Sequence, residues 1–412
     1  MNTLGNRIRS LRKKRKLTLE ALAGEQMTKG MLSLIENDKA QPSMESLAYI
    51  AQRLDIGVNE LLERVSTSEL REIVQHAEID FKAEKYEEVQ KKLDPFIEEE
   101  LPEVYESAKL LELYGKAGYF TKEAEWATFI DMAEKIYLEL KLYNPCAKLS
   151  LFLVWATMNT YDYTFALEQL RQKRALFQEL QADLDILNEI DFMWVEVGLL
   201  FACDQYEEAS EQLKQAISFS KEKNVFYKIE ELYRLAWLHA LLNKREEDMT
   251  FYLNKLALFA DFTESKFSHI NVKALRIVYY NSYLNQYDKA IELVEELYAY
   301  LNEEEQQRLN YFYVQEKGKA LFGKKQYQQA LHYLLQYEEQ EEWHHPFDLV
   351  VMYEVYAYIA RCYLELGKHE EAYTNAKYAM DHVSNFPDTP FKAFIKETMV
   401  LASKTREKGY NP

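Results

Sequence analysis

Leu4, Ile8 and Leu11 recur at i, i+4 and i+7, the spacing of one face of an α-helix, and that period restarts four more times before residue 64. Thr18 opens a unit carrying Leu19, Leu22 and Ala23, and Thr28 opens one carrying Met31, Leu32 and Ile35. Ser43 opens a fourth with Leu47, Ile50, Ala51 and Leu54, and Val58, Leu61 and Leu62 form a fifth. Thr18, Thr28 and Ser43 are expected N-caps, since a short hydroxyl side chain accepts from the first free backbone amides. The pattern predicts five short helices around one core. Ser66-Thr67-Ser68-Glu69 then has the S-x-x-E form of a capping box, which sets a domain boundary near residue 65 with no Pro/Gly-rich linker.

From there the chain repeats itself. Tyr163/Ala166, Tyr206/Ala209, Tyr287/Ala290 and Tyr327/Ala330 share a Y-x-x-A signature, and Tyr86/Val89, Thr121/Ala124, Arg245/Asp248 and His369/Ala372 are degenerate copies. The intervals run from 35 to 43 residues, enough for a helix pair each, so eight pairs and a closing helix begun at Thr389-Pro390 cover residues 66–408. A single hairpin cannot bury its apolar face alone. Stacking lets the small Ala sit where helices approach closely, with Tyr over the joint, and the stack curves around a groove. The 31 Tyr suit such joints, because the ring packs while the hydroxyl stays wet. Counting back from each signature Tyr on a helical wheel places Asn159, Trp194, Trp237, Tyr279, Tyr283 and Lys319 on the groove side, with Arg234 and Arg276 at its margin. Aromatic walls with interleaved polar groups suit an extended peptide.

Composition narrows this further. Gly 11 and Pro 8 are few for 412 residues, so long helices and short loops are expected, and 48% hydrophobic content excludes global disorder. The net charge of −18 conceals an asymmetry: residues 1–64 carry 11 Lys/Arg against 8 Asp/Glu (+3), whereas residues 65–412 carry 39 against 60 (−21). Only the N-terminal part suits a polyanion. Three separated cysteines support neither a metal knuckle nor a disulfide framework, and no signal-type or membrane-spanning apolar stretch occurs, so a cytoplasmic location is expected. Phosphate-binding glycine loops, nucleophile elbows and H-E-x-x-H are absent. No catalytic residue, metal or cofactor is expected, and His344-His345, directly before Pro346, reads as a loop or cap.

The runs L-T-x-E-x-L-A from Leu17, T-K-G-M-L-S-L-I-E-N-D-K from Thr28 and P-S-M-E-S-L from Pro42 resemble the Xre/Cro-type helix-turn-helix over residues 4–63. That resemblance implies that the helix from Thr28 to Glu36 enters the major groove, with Thr28, Lys29 and Gly30 first on the base edges and Ser33 and Leu34 one turn later. Lys29 can serve guanine O6/N7 or a phosphate, and Leu34 a thymine methyl or the core. Arg12, Lys13, Lys14 and Arg15 lie in a basic run beside it and are candidates for backbone phosphates.

Such a domain (1–64) followed by an irregular tetratricopeptide-like array (65–412) resembles the RRNPP family of Gram-positive quorum-sensing regulators. The resemblance implies an all-α, homodimeric, cytoplasmic transcription factor that binds operator DNA and holds a short signalling peptide in the groove of its repeats. It makes Asn159, Arg234 and Arg276 the expected partners of the peptide backbone, with Trp194, Trp237, Tyr279, Tyr283 and Lys319 around the side chains. Two alternatives stay open: a Rap-like regulator that binds a response regulator, alone or as a second function, and a repressor whose repeats only oligomerise.

Overall fold

The structure is a computed structural model that describes residues 3–58, 61, 67–97, 101–341, 343 and 345–409. All regular secondary structure among them is helical. The chain divides into two compact units, Met1–Ser150 and Leu151–Pro412. No helix among the described residues is long and apolar enough to cross a membrane.

The first unit opens with α1 (Leu4–Lys14), α2 (Leu19–Ala23), α3 (Lys29–Glu36) and α4 (Met44–Leu54). Their caps are the expected ones: Thr18 Oγ1 accepts from Ala21 N at 3.0 Å, Thr28 Oγ1 from Met31 N at 3.1 Å and Ser43 Oγ from Ser46 N at 3.2 Å. Ile8, Leu22, Leu32, Ile35, Ile50 and Leu54 fill one core, joined by Leu61. Val58 of the fifth unit packs against the same core, whereas Leu62, Ser66 of the capping box and the boundary near residue 65 lie outside the described residues. The turn from α2 to α3 needs Gly24: its φ is +56°, and a Cβ there would stand 2.2 Å from the Tyr49 hydroxyl.

A second core in the same unit joins α5 (Thr67–Lys82), α6 (Tyr86–Ile97) and α7 (Tyr105–Thr121) through Leu70, Val74, Val89, Leu93, Leu110 and Ala117. The next helix, α8 (Trp126–Glu139), opens at Trp126, which corrects the Thr121/Ala124 copy of the repeat: Thr121 still belongs to α7. No aromatic marks that joint at the expected phase, so spacing alone misplaced it. Helix α9 (Tyr143–Met158) crosses the division between the units.

The second unit continues the pairs with α10 (Tyr163–Glu179), α11 (Ile186–Ala202), α12 (Tyr206–Lys223), α13 (Ile229–Leu242), α14 (Glu246–Thr263) and α15 (Lys266–Val278), which runs on as a π turn (Tyr279–Tyr283). Then come α16 (Tyr287–Tyr300), a short α17 (Glu303–Arg308), α18 (Asn310–Gly323), α19 (Tyr327–Leu334), α20 (Pro346–Glu365), α21 (His369–Val383) and the closing α22 (Pro390–Gly409). Each full Y-x-x-A signature does what the spacing predicted. Tyr163, Tyr206, Tyr287 and Tyr327 are the first residues of α10, α12, α16 and α19, and Ala166, Ala209, Ala290 and Ala330 are wholly buried. Helix α20 begins where Pro346 permits, with His345 as its N-cap.

The interior of this unit differs from an open groove. One apolar cluster holds Trp237, Ala240 and Leu241 of α13 and Met249 of α14 together with Val350 and Ala357 of α20, Ala379 and Val383 of α21, and Phe391 and Ile395 of α22. The pair α13–α14 and the pair α20–α21, three pairs further along the chain, therefore share one core.

Candidate functional site

Two candidate surfaces follow, one in each unit. In the first, α3 buries Leu32, Ile35 and Glu36 and turns Thr28, Lys29 and Gly30 to solvent, with Ser33 half-buried. Space around Gly30 is open, and Leu34 is 46% exposed, which takes it out of the core. The outward side of α3 is thus small and polar at its start with a leucine a turn later. Asn37 Nδ2 donates to the Ser33 carbonyl at 2.7 Å and closes the far end of the helix.

The basic run behaves unevenly. Lys13 and Lys14 are exposed, without an ion pair or side-chain hydrogen bond among the described residues. Arg15 rests on Asp55, donating to its carbonyl at 3.3 Å. Arg12 corrects the expectation of a phosphate contact. Its guanidinium forks onto Glu36, Nε to Oε1 at 2.6 Å and Nη2 to Oε2 at 2.8 Å, and Nη1 donates to the Leu17 carbonyl at 2.9 Å. The pair has side-chain exposures of 11% and 3%, so Arg12 is a tie between α1 and α3 that spends three of its guanidinium donors inside the protein.

In the second unit seven of the eight expected peptide residues fall into three groups, and Asn159 stands apart. Arg234 on α13 and Arg276 on α15 are exposed and make no ion pair or side-chain hydrogen bond among the described residues. Near them, Ser268 Oγ and Asn271 Nδ2 donate to the two carboxylate oxygens of Glu230, at 2.7 and 3.0 Å, and lock α15 to α13. Trp194, Tyr279 and Tyr283 form the second group. Lys228 Nζ lies 4.5 Å from the Trp194 ring centre, and Tyr279 and Tyr283 stack at 5.5 Å and 14°. Tyr279 also donates to Glu246 at 3.2 Å, and burial, then that bond, push its phenol above the ordinary range. Asn159 is half-buried at the end of α9 and already has a partner of its own.

Trp237 and Lys319 are the third group, and both correct the wheel. Trp237 is fully buried in the shared cluster rather than walling an open pocket. Lys319 is enclosed between Glu354 at 2.7 Å and Glu316 at 3.4 Å, with the Tyr358 ring 5.5 Å away. Burial alone would release its proton, but the two carboxylates overcome that and hold the ammonium charged, while burial pushes the Glu354 carboxyl up. A buried lysine held between two carboxylates of its own repeat array acts as a strut between α18 and α20.

The wheel also missed Asn281. Its side chain is buried and donates to the Glu316 carbonyl and to Glu316 Oε2, each at 2.9 Å. The π turn from Tyr279 to Tyr283 supplies the reason. Inside a π turn the advance per residue is less than the roughly 100° of the α-helix, so a wheel that counts back from Tyr287 at the α-helical step misplaces a residue within it.

Residues 8–61 match the helix-turn-helix family model. No curated relative matches the sequence. Among solved structures the chain is similar to PlcR of Bacillus thuringiensis in complex with the peptide PapR7 and DNA, at 21% identity over 67% of this chain and 99% of that one, with a TM-score of 0.37. It is also similar to NprR in complex with its cognate peptide NprX, at 18% identity, 74% and 84% coverage and a TM-score of 0.47. A tetratricopeptide repeat protein from Parabacteroides merdae aligns at 12% identity, 72% and 99% coverage and 0.45. The N-capped helices of residues 8–61, with their glycine turn and outward-facing α3, are therefore a domain of the helix-turn-helix family.

Proposed function

We propose that the chain is a cytoplasmic transcription regulator in which residues 1–64 bind operator DNA and residues 65–412 bind a short linear signalling peptide and pair two copies. The observation that carries the first half is the outward face of α3. A helix of this family presents Thr28, Lys29, Gly30, Ser33 and Leu34 to solvent beside free Lys13 and Lys14, on the one part of the chain with a positive balance. Two exposed arginines support the second half, since Arg234 and Arg276 lie in a segment of net charge −21 yet make no ion pair among the described residues. Guanidinium groups at that margin suit backbone carbonyls and a terminal carboxylate of a peptide.

Peptide and DNA are coupled in this reading through the repeats. A peptide that prefers one superhelical pitch shifts the population toward it and changes how two helix-turn-helix domains are spaced over half-sites. The test is selection from a random double-stranded DNA pool with the full-length protein, followed by mobility shift. Recovery of a two-fold related site whose binding is lost in Lys29→Glu supports the proposal. Recovery of no site removes it.

A further inference from the structure

The second unit is tied shut across its interior at three places. His345 is the first tie: its Nδ1 accepts from Phe347 N at 3.2 Å as the N-cap of α20, and its Nε2 lies 3.1 Å from the carbonyl of Gly198 on α11. With Nδ1 accepting, the ring proton sits on Nε2 and is donated to that carbonyl, so one imidazole both starts α20 and clamps it to α11. The second tie joins Tyr206, the first residue of α12, to the Asp388 carbonyl between α21 and α22, at 3.4 Å. That connection is held in shape by the buried Lys392 ammonium, which donates to the Ser384 carbonyl at 3.0 Å and to that of Phe386. The third tie is the apolar cluster that holds buried Trp237 together with Val350 of α20 and Phe391 of α22.

The closed interior is not fully satisfied. The Trp237 indole N–H is buried without an acceptor among the described residues, and so is the Ser282 hydroxyl on the π turn. Trp237 is a position that the repeat phase assigns to the groove, and Ser282 lies between Tyr279 and Tyr283, which it also assigns there. A buried donor left unpaired opposes the closed form and favours a form in which an acceptor reaches it. The backbone carbonyls of an extended peptide are such acceptors.

We infer that α20–α22 act as a latch: they hold the repeat array closed over the inner face of α13, and a peptide gains Trp237 and Ser282 only when the ties from His345 to Gly198 and from Tyr206 to Asp388 part. This rests on the peptide-binding reading above and adds its regulation. Helix α20 also packs through Val355, Ile359 and Cys362 against Leu321 of α18 and Ala330 and Leu334 of α19. Opening is therefore a change of pitch between stacked pairs rather than a swing of a free flap.

The test uses the full chain and two substitutions that spare the fold. His345→Asn keeps an N-capping side chain but is too short to reach Gly198, and Tyr206→Phe removes only the hydroxyl. Acrylamide quenching assigned to Trp237, by difference against the same proteins carrying Trp237→Phe, reads the closure. Each lost hydrogen bond should raise the open fraction about fivefold, and quenching with it, at unchanged far-ultraviolet circular dichroism. The second readout is a random heptapeptide phage library panned on wild type and double variant, the enriched peptides being titrated by calorimetry. Tighter binding to the double variant by a similar factor supports the latch. Equal quenching in all proteins overturns the closure, and raised quenching with unchanged peptide affinity overturns its gating role. If neither protein enriches a peptide, the peptide reading fails and the gating with it, while the quenching still reports whether the array opens.

Discussion

Arg12 shows how far a residue can be read from its neighbours in sequence. A run of Arg12-Lys13-Lys14-Arg15-Lys16 looks uniformly available to phosphates, yet the first of the five is committed to a carboxylate 24 positions away. Removing one partner of a buried, bidentate pair leaves the other charge without compensation. Arg12→Ala should therefore lower stability by about 3–5 kcal/mol, measured by urea unfolding, and any loss of DNA binding should follow from unfolding. Lys13 and Lys14 behave in the opposite way. Their double alanine variant should leave stability nearly unchanged and reduce the slope of log affinity against log salt by about 2. At Lys29 the two readings separate cleanly. If it reads guanine, Lys29→Ala costs about 1–3 kcal/mol and relaxes one position of the selected site, whereas a phosphate contact weakens every sequence alike. Caps and core were legible here because each is set by residues three or four apart, and Glu36 as the partner of Arg12 was not, because that contact is made by folding.

At the scale of elements the repeat was readable wherever a tyrosine opens the second helix of a pair. The small residue three positions later has to be buried for the hairpins to close, so Ala166, Ala209, Ala290 and Ala330 carry the register. Substituting valine at Ala290 inserts volume into a closed joint and should cost about 1–3 kcal/mol in urea unfolding. Legibility ended at α8, where no tyrosine marks the start, and at the π turn, where a constant period no longer holds. One element carries a pH dependence of its own. Glu112 on α7 is buried, which by itself raises its pKa, but Lys116 at 2.7 Å, Lys109 at 3.0 Å and the Tyr137 hydroxyl at 2.8 Å bring it below the ordinary carboxylate value. A carboxyl with a depressed folded-state pKa adds stability above its unfolded value and loses it as pH falls through the folded one. The urea midpoint should fall on acidification below the ordinary carboxylate range of about 4.3, and Glu112→Gln should flatten that fall. An unchanged profile in the variant would assign the acid lability to other carboxylates.

For the whole molecule the informative quantity is the division of charge, +3 over residues 1–64 against −21 beyond them. Under the proposed function, non-specific DNA would be attracted to residues 1–64 and repelled by the rest, so that useful affinity would need two half-sites and two copies. Light scattering on the full chain should give a dimer mass, and a concentration-independent monomer would count against the proposed pairing through the repeats. The contacts from Gly198 to His345 and from Tyr206 to Asp388, spanning 147 and 182 residues, have a further consequence for how this protein is made. An open stack of hairpins can nucleate anywhere and grow pair by pair, each step local, and it frays from its ends by the same route. Joining distant pairs closes the stretch from α11 to α22 on itself, so its last pairs cannot fray without breaking those contacts. Its completion waits for α22 to leave the ribosome, since Phe391 and Ile395 belong to the cluster that holds Trp237. Growth of the stack should be quick and the joining slow, because the loop being closed is long. During that interval the apolar inner face of α13 is bare in the nascent chain, and chaperone demand should be greatest there.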